Sequence, residues 1–130
     1  MIKLFISDLD GVLTDGSMYY SENGNEFKRF STYDGWAFIF LNKRKVKTSI
    51  ITSEKTIIAS NRAKKMKIDF LLQGYSGIGK LEAIKSVCKK NDISFDEVSY
   101  IGDDLNCFEL LSNVKYAACP SNARKKIKEI

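Results

Sequence analysis

The chain has 130 residues, 44% of them hydrophobic, and carries a formal charge of +5 without a single histidine. That length and apolar content suit one globular domain, residues 1–130, with a core of its own. The lack of histidine excludes Ser-His-Asp hydrolysis, Cys-His nucleophiles and His-ligated zinc within the chain, so acid–base work falls to carboxylates, lysine or tyrosine. The basic residues are spread over several predicted helices, with short clusters at Lys43 to Lys47 and Arg124 to Lys128. Such clusters read as solvated faces, and the expectation is no nucleic acid; an anionic small substrate uses the same charge. The longest purely apolar run, Trp36 to Leu41, is too short to span a bilayer, and Met1-Ile2-Lys3 leads into a strand without a signal-peptide pattern. No membrane is expected. Cys88, Cys107 and Cys119 have no metal-ligand spacing and suit free thiols in the cytoplasm.

Leu4-Phe5-Ile6 is a continuous apolar run, the pattern of a strand covered on both faces. It runs into Asp8 and Asp10, which as residues i and i+2 of an extended chain point the same way. Gly11 and Gly16 follow, with Asp15 a third acid. Ser17 to Ser21 and Glu26 to Phe30 form the arms of a predicted hairpin flap (about 17–30), turned by Glu22-Asn23-Gly24-Asn25 and carrying Tyr19, Tyr20, Phe27 and Phe30. Rings on a lone hairpin need a surface, either the domain's flank or another subunit. Asp34 is the predicted cap of a helix whose apolar stripe is Trp36, Ile39 and Phe40.

Val46 to Ile51 reads as the second core strand, ending at Thr52-Ser53-Glu54. Lys55 to Met66 reads as a helix, and Ile68 to Leu72 as a third strand. The glycine-rich stretch Gly74 to Lys80 follows, then a helix with the stripe Leu81, Ile84 and Cys88. Val98 to Ile101 is a fourth strand ending at Gly102-Asp103-Asp104. A helix over Leu105 to Leu111, a strand over Tyr116 to Ala118 and a basic helix complete the chain. Alternating strands and helices predict an α/β, Rossmann-like three-layer sandwich with a mainly parallel sheet.

In such a sheet the carboxyl ends of three core strands lie on one edge, where open α/β folds bind ligands. This gathers Asp8 and Asp10, Thr52 and Ser53, and Asp103 and Asp104, with Lys80 opening a helix that leads to the same edge. Crowded carboxylates call for a divalent cation, most simply Mg²⁺. A carboxylate is already ionised at neutral pH, so Asp8 needs no base to attack phosphorus. Asp10 then serves as general acid and base, Asp103 shares the metal with Asp8, and Thr52 and Lys80 bind phosphoryl oxygens. Thr52 equally suits a helix cap, and Lys80 a solvent-facing position.

These residues resemble the motifs of the haloacid dehalogenase superfamily of aspartate-nucleophile phosphatases. Asp8-Leu9-Asp10-Gly11-Val12-Leu13-Thr14-Asp15-Gly16 is similar to its first motif, Thr52 to its second, Lys80 to its third and Gly102-Asp103-Asp104 to its fourth. The resemblance implies Asp8 as nucleophile and metal ligand, Asp10 as acid/base giving the metal its backbone carbonyl, Asp103 as metal ligand, and Thr52, Ser53 and Lys80 at the phosphate. There is no room for a cap domain between Asp8 and Thr52 or between Thr52 and Lys80. Asp15-Gly16, the hairpin and Gly102-Asp103-Asp104-Leu105 resemble the capless phosphatases of sugar-acid phosphates. That subgroup acts on 3-deoxy-D-manno-octulosonate 8-phosphate or nine-carbon relatives such as 2-keto-3-deoxynononate 9-phosphate. Its members are typically homotetramers in which a neighbour's hairpin helps close the site. Glu54, Arg62 and Lys65 resemble the sugar-acid contacts of the nine-carbon branch, and also suit ordinary surface charges. The chain departs from the pattern at Ser53, where glycine is usual, at Cys107, where a second aspartate is often found, and in stopping short of a glycine- and arginine-bearing tail.

Other readings make different use of the same residues. Gly74 to Lys80 spells the G-x-x-x-x-G-K of a nucleotide-binding P-loop, but Leu81 stands where Ser or Thr should reach Mg²⁺. A non-catalytic phosphoacceptor uses Asp, Mg²⁺, Thr and Lys too, with its paired acids on the first strand instead of the fourth. A scaffold subunit without activity is the third.

Overall fold

Leu4–Ser7 (β1) is buried on both faces of its pleat, which requires a neighbour on each edge and a layer on each side. The computed structural model, which describes residues 1–130, supplies all four. β1 is the central strand of a five-stranded, wholly parallel sheet. Its neighbours are Lys47–Thr52 (β4) and Val98–Ile101 (β6), with Phe70–Gln73 (β5) and Tyr116–Ala118 (β7) at the edges. Tyr19–Tyr20 (β2) and Glu26–Phe27 (β3) pair antiparallel as a separate hairpin. The helices are Thr32–Lys43 (α1), Ile57–Met66 (α2), Ile78–Asn91 (α3), Phe108–Leu111 (α4) and Lys125–Lys128 (α5). None is long and apolar enough to cross a membrane.

Adjacent residues of a strand face opposite layers, and β4 shows this directly. Ile50 packs with Leu9, Leu13, Phe38, Ala59, Ala63 and Met66 on the α1–α2 side. Ile51 packs with Leu4, Ile6, Leu81, Ile84 and Tyr100 on the α3 side. The three-layer α/β arrangement expected from the element order is therefore present, with the predicted stripe of α3 turned inward. From β1 the chain steps out through β4 to β5, then returns across β1 to β6 and β7. The strand order thus reverses at β1, and the crevice opens at its carboxyl end.

Four local expectations are corrected. The cap of α1 is Ser31, whose hydroxyl accepts from the Tyr33 amide, while Asp34 sits in the first turn, where burial raises its carboxyl above the usual range. The inward residue of α1 is Phe38, edge-on to Phe5; Trp36, Ile39 and Phe40 face outward. Residues 36–41 are apolar without interruption, so the sequence carried no preferred face there. The hairpin strands are also shorter than predicted, two residues each, and residues 105–107 form a 3₁₀ turn ahead of α4.

Candidate active site

Ser7 is the last paired residue of β1, opposite Ile50 and Ile101, and the Asp8 amide still donates to the Ile101 carbonyl at 2.9 Å. Beyond it the strand breaks. The amides of Leu13 and Thr14 both donate to the Leu9 carbonyl, and the Thr14 hydroxyl accepts from the Gly11 and Gly16 amides. Asp10 therefore lies on a tight turn rather than on a continued pleat, and the turn brings it to the same cavity as Asp8. Gly11 has a φ of +83°, and a Cβ there would overlap the Asp103 carboxylate. Asp15 points elsewhere, accepting from the Ser17 amide near Arg29.

The cavity, of about 250 Å³, is walled by Asp8, Asp10, Thr52, Ser53, Glu54 and Asp103, together with Gly11, Gly16, Met18, Asp104 and Asn106. Three strand ends meet there. Asp8 is fixed from several directions: Oδ1 accepts from the Leu9 amide at 2.8 Å, and Oδ2 accepts from Lys80 Nζ and from the Cys107 thiol, both at 2.8 Å. Lys80 is 0% exposed and also contacts Tyr100 Oη and Cys107 Sγ at 3.4 Å. A buried ammonium is tolerated only with such partners. Burial, reinforced by the charge of Asp8, pushes the Cys107 thiol up to about 11, so it is a neutral donor to Asp8. Burial first, then the charge of Asp8, pushes Asp103 up to about 6.

One carboxylate oxygen each of Asp8 and Asp103 and the Cys107 sulfur lie within 4.8 Å of one another. Two carboxylates at that range, one of them driven towards protonation, form an oxygen-rich set that fits a hard divalent cation. Thr52 is buried, its hydroxyl accepting from the Glu54 amide, and the cap of α2 is Thr56 instead. Ser53 Oγ accepts from Asn106 at 3.0 Å. Lys80 bonds Asp8 and does not line the cavity. Arg62 and Lys65 stand outside it as well. The Arg62 guanidinium donates to the Ser31 carbonyl at 2.6 Å and stacks over Phe30, and Lys65 is exposed.

One residue escaped the sequence reading. Lys28, just beyond β3, has a side chain only 1% exposed and reaches Asp10 Oδ1 at 2.6 Å, Glu54 Oε2 at 3.0 Å and Glu26 Oε1 at 3.2 Å. Burial opposes its charge, but hydrogen bonds to Asp10 and Glu54 outweigh this and hold its pKa well above the ordinary lysine value. Burial likewise lifts the Asp10 carboxyl above its usual range, against the pull of Lys28. No motif marks Lys28; its signal was a lone lysine within a run of hairpin aromatics.

Comparison with known proteins gives a consistent picture. Residues 39–130 match the model of the haloacid dehalogenase-like hydrolases. Over 122 residues the chain is 34% identical to the 3-deoxy-D-manno-octulosonate 8-phosphate phosphatase KdsC of Escherichia coli K12, covering 94% of this chain and 64% of that protein. A crystal structure of a probable YrbI family phosphatase from Pseudomonas syringae superposes with a TM-score of 0.94 at 37% identity, covering 98% of this chain and 72% of the other. The 3-deoxy-D-manno-octulosonate 8-phosphate phosphatase of Moraxella catarrhalis, solved with magnesium, phosphate and KDO, superposes with a TM-score of 0.92 at 32% identity, covering 97% and 71%. The chain thus spans about 64% of the length of the curated relatives it matches. Ordered motifs at one sheet edge, a matching family model over most of the chain and close structural likeness agree: the chain belongs to the haloacid dehalogenase-like hydrolase family.

Proposed function

We propose that this chain is a Mg²⁺-dependent phosphatase that hydrolyses the phosphomonoester of a small acidic sugar through a phosphoaspartate on Asp8. The observation that carries the reading is the meeting of Asp8, Asp10 and Asp103 in one cavity with a buried lysine fixed on Asp8. Asp8 attacks phosphorus, the bond from phosphorus to the ester oxygen breaks, and Asp10 gives that oxygen its proton. Water then attacks the phosphoaspartate, passes a proton to Asp10, and releases inorganic phosphate and the Asp8 carboxylate. Asp8, Asp103 and the main-chain carbonyl of Asp10 would hold Mg²⁺, which supplies charge neutralisation at the phosphoryl oxygens. Thr52 and Ser53 take remaining phosphoryl oxygens from the cavity wall, and Lys80 shares its charge between Asp8 and the phosphoryl group.

The octulosonate 8-phosphate reading draws support from the curated relatives and from the Moraxella complex. A nonulosonate 9-phosphate is the second reading, favoured by Glu54 on the cavity wall. A panel of sugar-acid phosphates with and without Mg²⁺ decides: release from the octulosonate ester at least about tenfold faster than from the nonulosonate ester is expected. The reverse order installs the second reading, and no Mg²⁺-dependent release from any member sinks both. Cys88, Cys107 and Cys119 stand as free thiols, which supports a cytoplasmic location.

Tyr20 and Phe27 on the hairpin, with Tyr33, Trp36 and Phe40 on α1, expose large rings, a surface that supports assembly into a homotetramer. Arg62 and Lys65, outside their own cavity, serve the sugar acid only where a neighbouring copy receives them. Sedimentation should give about four times the 14.7 kDa monomer mass. Phe27→Glu with Trp36→Glu should reduce it to monomer; a monomeric unmodified chain would exclude the assembly.

A further inference from the structure

The reaction above makes no use of Lys28, although the hairpin carries it into the site. Stripping water from an ammonium is costly unless carboxylates replace it, and Lys28 has three of them. Neutralisation alone needs fewer. What distinguishes the three is what else holds each one. The bond from Lys28, at 2.6 Å, is the sole hydrogen bond to the Asp10 carboxylate, and it engages Oδ1 only. Asp8 contrasts with this, being gripped by a backbone amide, a lysine and a thiol. Asp10 sits on a turn with no such restraint, so its orientation depends on a side chain eighteen positions along the chain. Glu26 and Glu54 occupy the other sides of the same ammonium and keep it from swinging away.

We propose that Lys28 is a positioning residue for the acid step: it pins Oδ1 of Asp10 so that Oδ2 faces the departing ester oxygen. The inference rests on the phosphatase reading and deepens it. As the bond from phosphorus to the ester oxygen breaks, the Oδ2–H bond breaks too. The proton goes to the ester oxygen, and the electron pair stays on the Asp10 carboxylate beside the ammonium. In the second half of the cycle a proton from the attacking water returns to Oδ2. The flap is therefore joined to the catalytic acid, and its placement sets where the proton is delivered.

The test is the dependence of kcat/KM on the leaving group, because this parameter reports only the steps up to formation of the phosphoenzyme. An alkoxide must be protonated as it leaves, whereas 4-nitrophenolate leaves unaided. Lys28→Met is expected to lower kcat/KM for an alkyl phosphomonoester by about 100-fold, and for 4-nitrophenyl phosphate by no more than about threefold. Lys28→Arg, which keeps the charge and a donor, should show the same pattern weakened to about tenfold on the alkyl ester. If Lys28→Met does not fold, as judged by its melting transition, the Lys28→Arg comparison alone decides. Equal losses across the series would make Lys28 a general electrostatic or phosphate contact and overturn the proposal, as would no loss on the alkyl ester. If the unmodified chain and Asp8→Asn release phosphate equally, it is the phosphatase reading that fails instead.

Discussion

Asp8→Asn is expected to lower phosphate release by on the order of 10⁵-fold and to destabilise the fold at the same time. The first effect follows from removing the proposed nucleophile. The second follows from Lys80, which is 0% exposed and whose ammonium rests on Asp8 Oδ2 at 2.8 Å. Deleting one charge of a buried pair leaves the other uncompensated, typically at a cost of about 3–5 kcal/mol. For a chain of this size that lowers Tm by roughly 11–18 °C. The same substitution weakens the acceptor of the Cys107 thiol. Adding Lys80→Met should return most of the lost stability, because an apolar side chain of similar length has no charge to strand, while turnover stays absent. Thermal melts of the two variants beside a phosphate-release assay read both effects. Undiminished turnover in Asp8→Asn would remove the nucleophile assignment, and an unchanged Tm would show that Asp8 is not what compensates Lys80.

Magnesium is expected to raise Tm clearly at pH 7.5 and much less at pH 5. In the metal-free chain, burial and then the Asp8 charge push Asp103 up to about 6, against an unfolded carboxylate value of about 4. A carboxyl raised in the fold favours the folded state most when protonated. Its contribution is therefore full below about pH 4, declines as pH rises to about 6, and is then lost. A cation held by Asp8 and Asp103 would reverse that deficit, and protons would compete with it for Asp103 at low pH. Gly11→Ala should abolish the Mg²⁺ increment in Tm. Its Cβ would displace the Asp103 carboxylate, and its φ of +83° strains any residue with a side chain by about 1 kcal/mol. An Mg²⁺ shift that persists in Gly11→Ala, or that is equal at both pH values, would place the ion elsewhere.

Much of the chemistry was legible in the sequence because it sits where regular elements end. The apolar run before Asp8, the strand closing at Thr52 and the one closing at Ile101, just ahead of Asp103, all carry local signals. A parallel sheet then places strand ends of like direction on one edge. Lys80 was legible as a residue of the first turn of α3, though its contact with Asp8 itself was not. The face of α1 was hidden by an unbroken apolar run, and the convergence of Asp10 comes from a turn held by the Thr14 hydroxyl instead of the pleat.

By itself the sequence determined the element order, the parallel sheet and the acidic strand ends, since periodicity and local propensity act over a few residues. Only the tertiary structure decided that Lys28 reaches Asp10 and Glu54 from the hairpin, that Cys107 donates to Asp8, and that Arg62 turns away to Ser31 and Phe30. These contacts join residues far apart in the chain through buried charges. Which charge finds which partner depends on where the packed elements leave room out of water, and no local pattern encodes that.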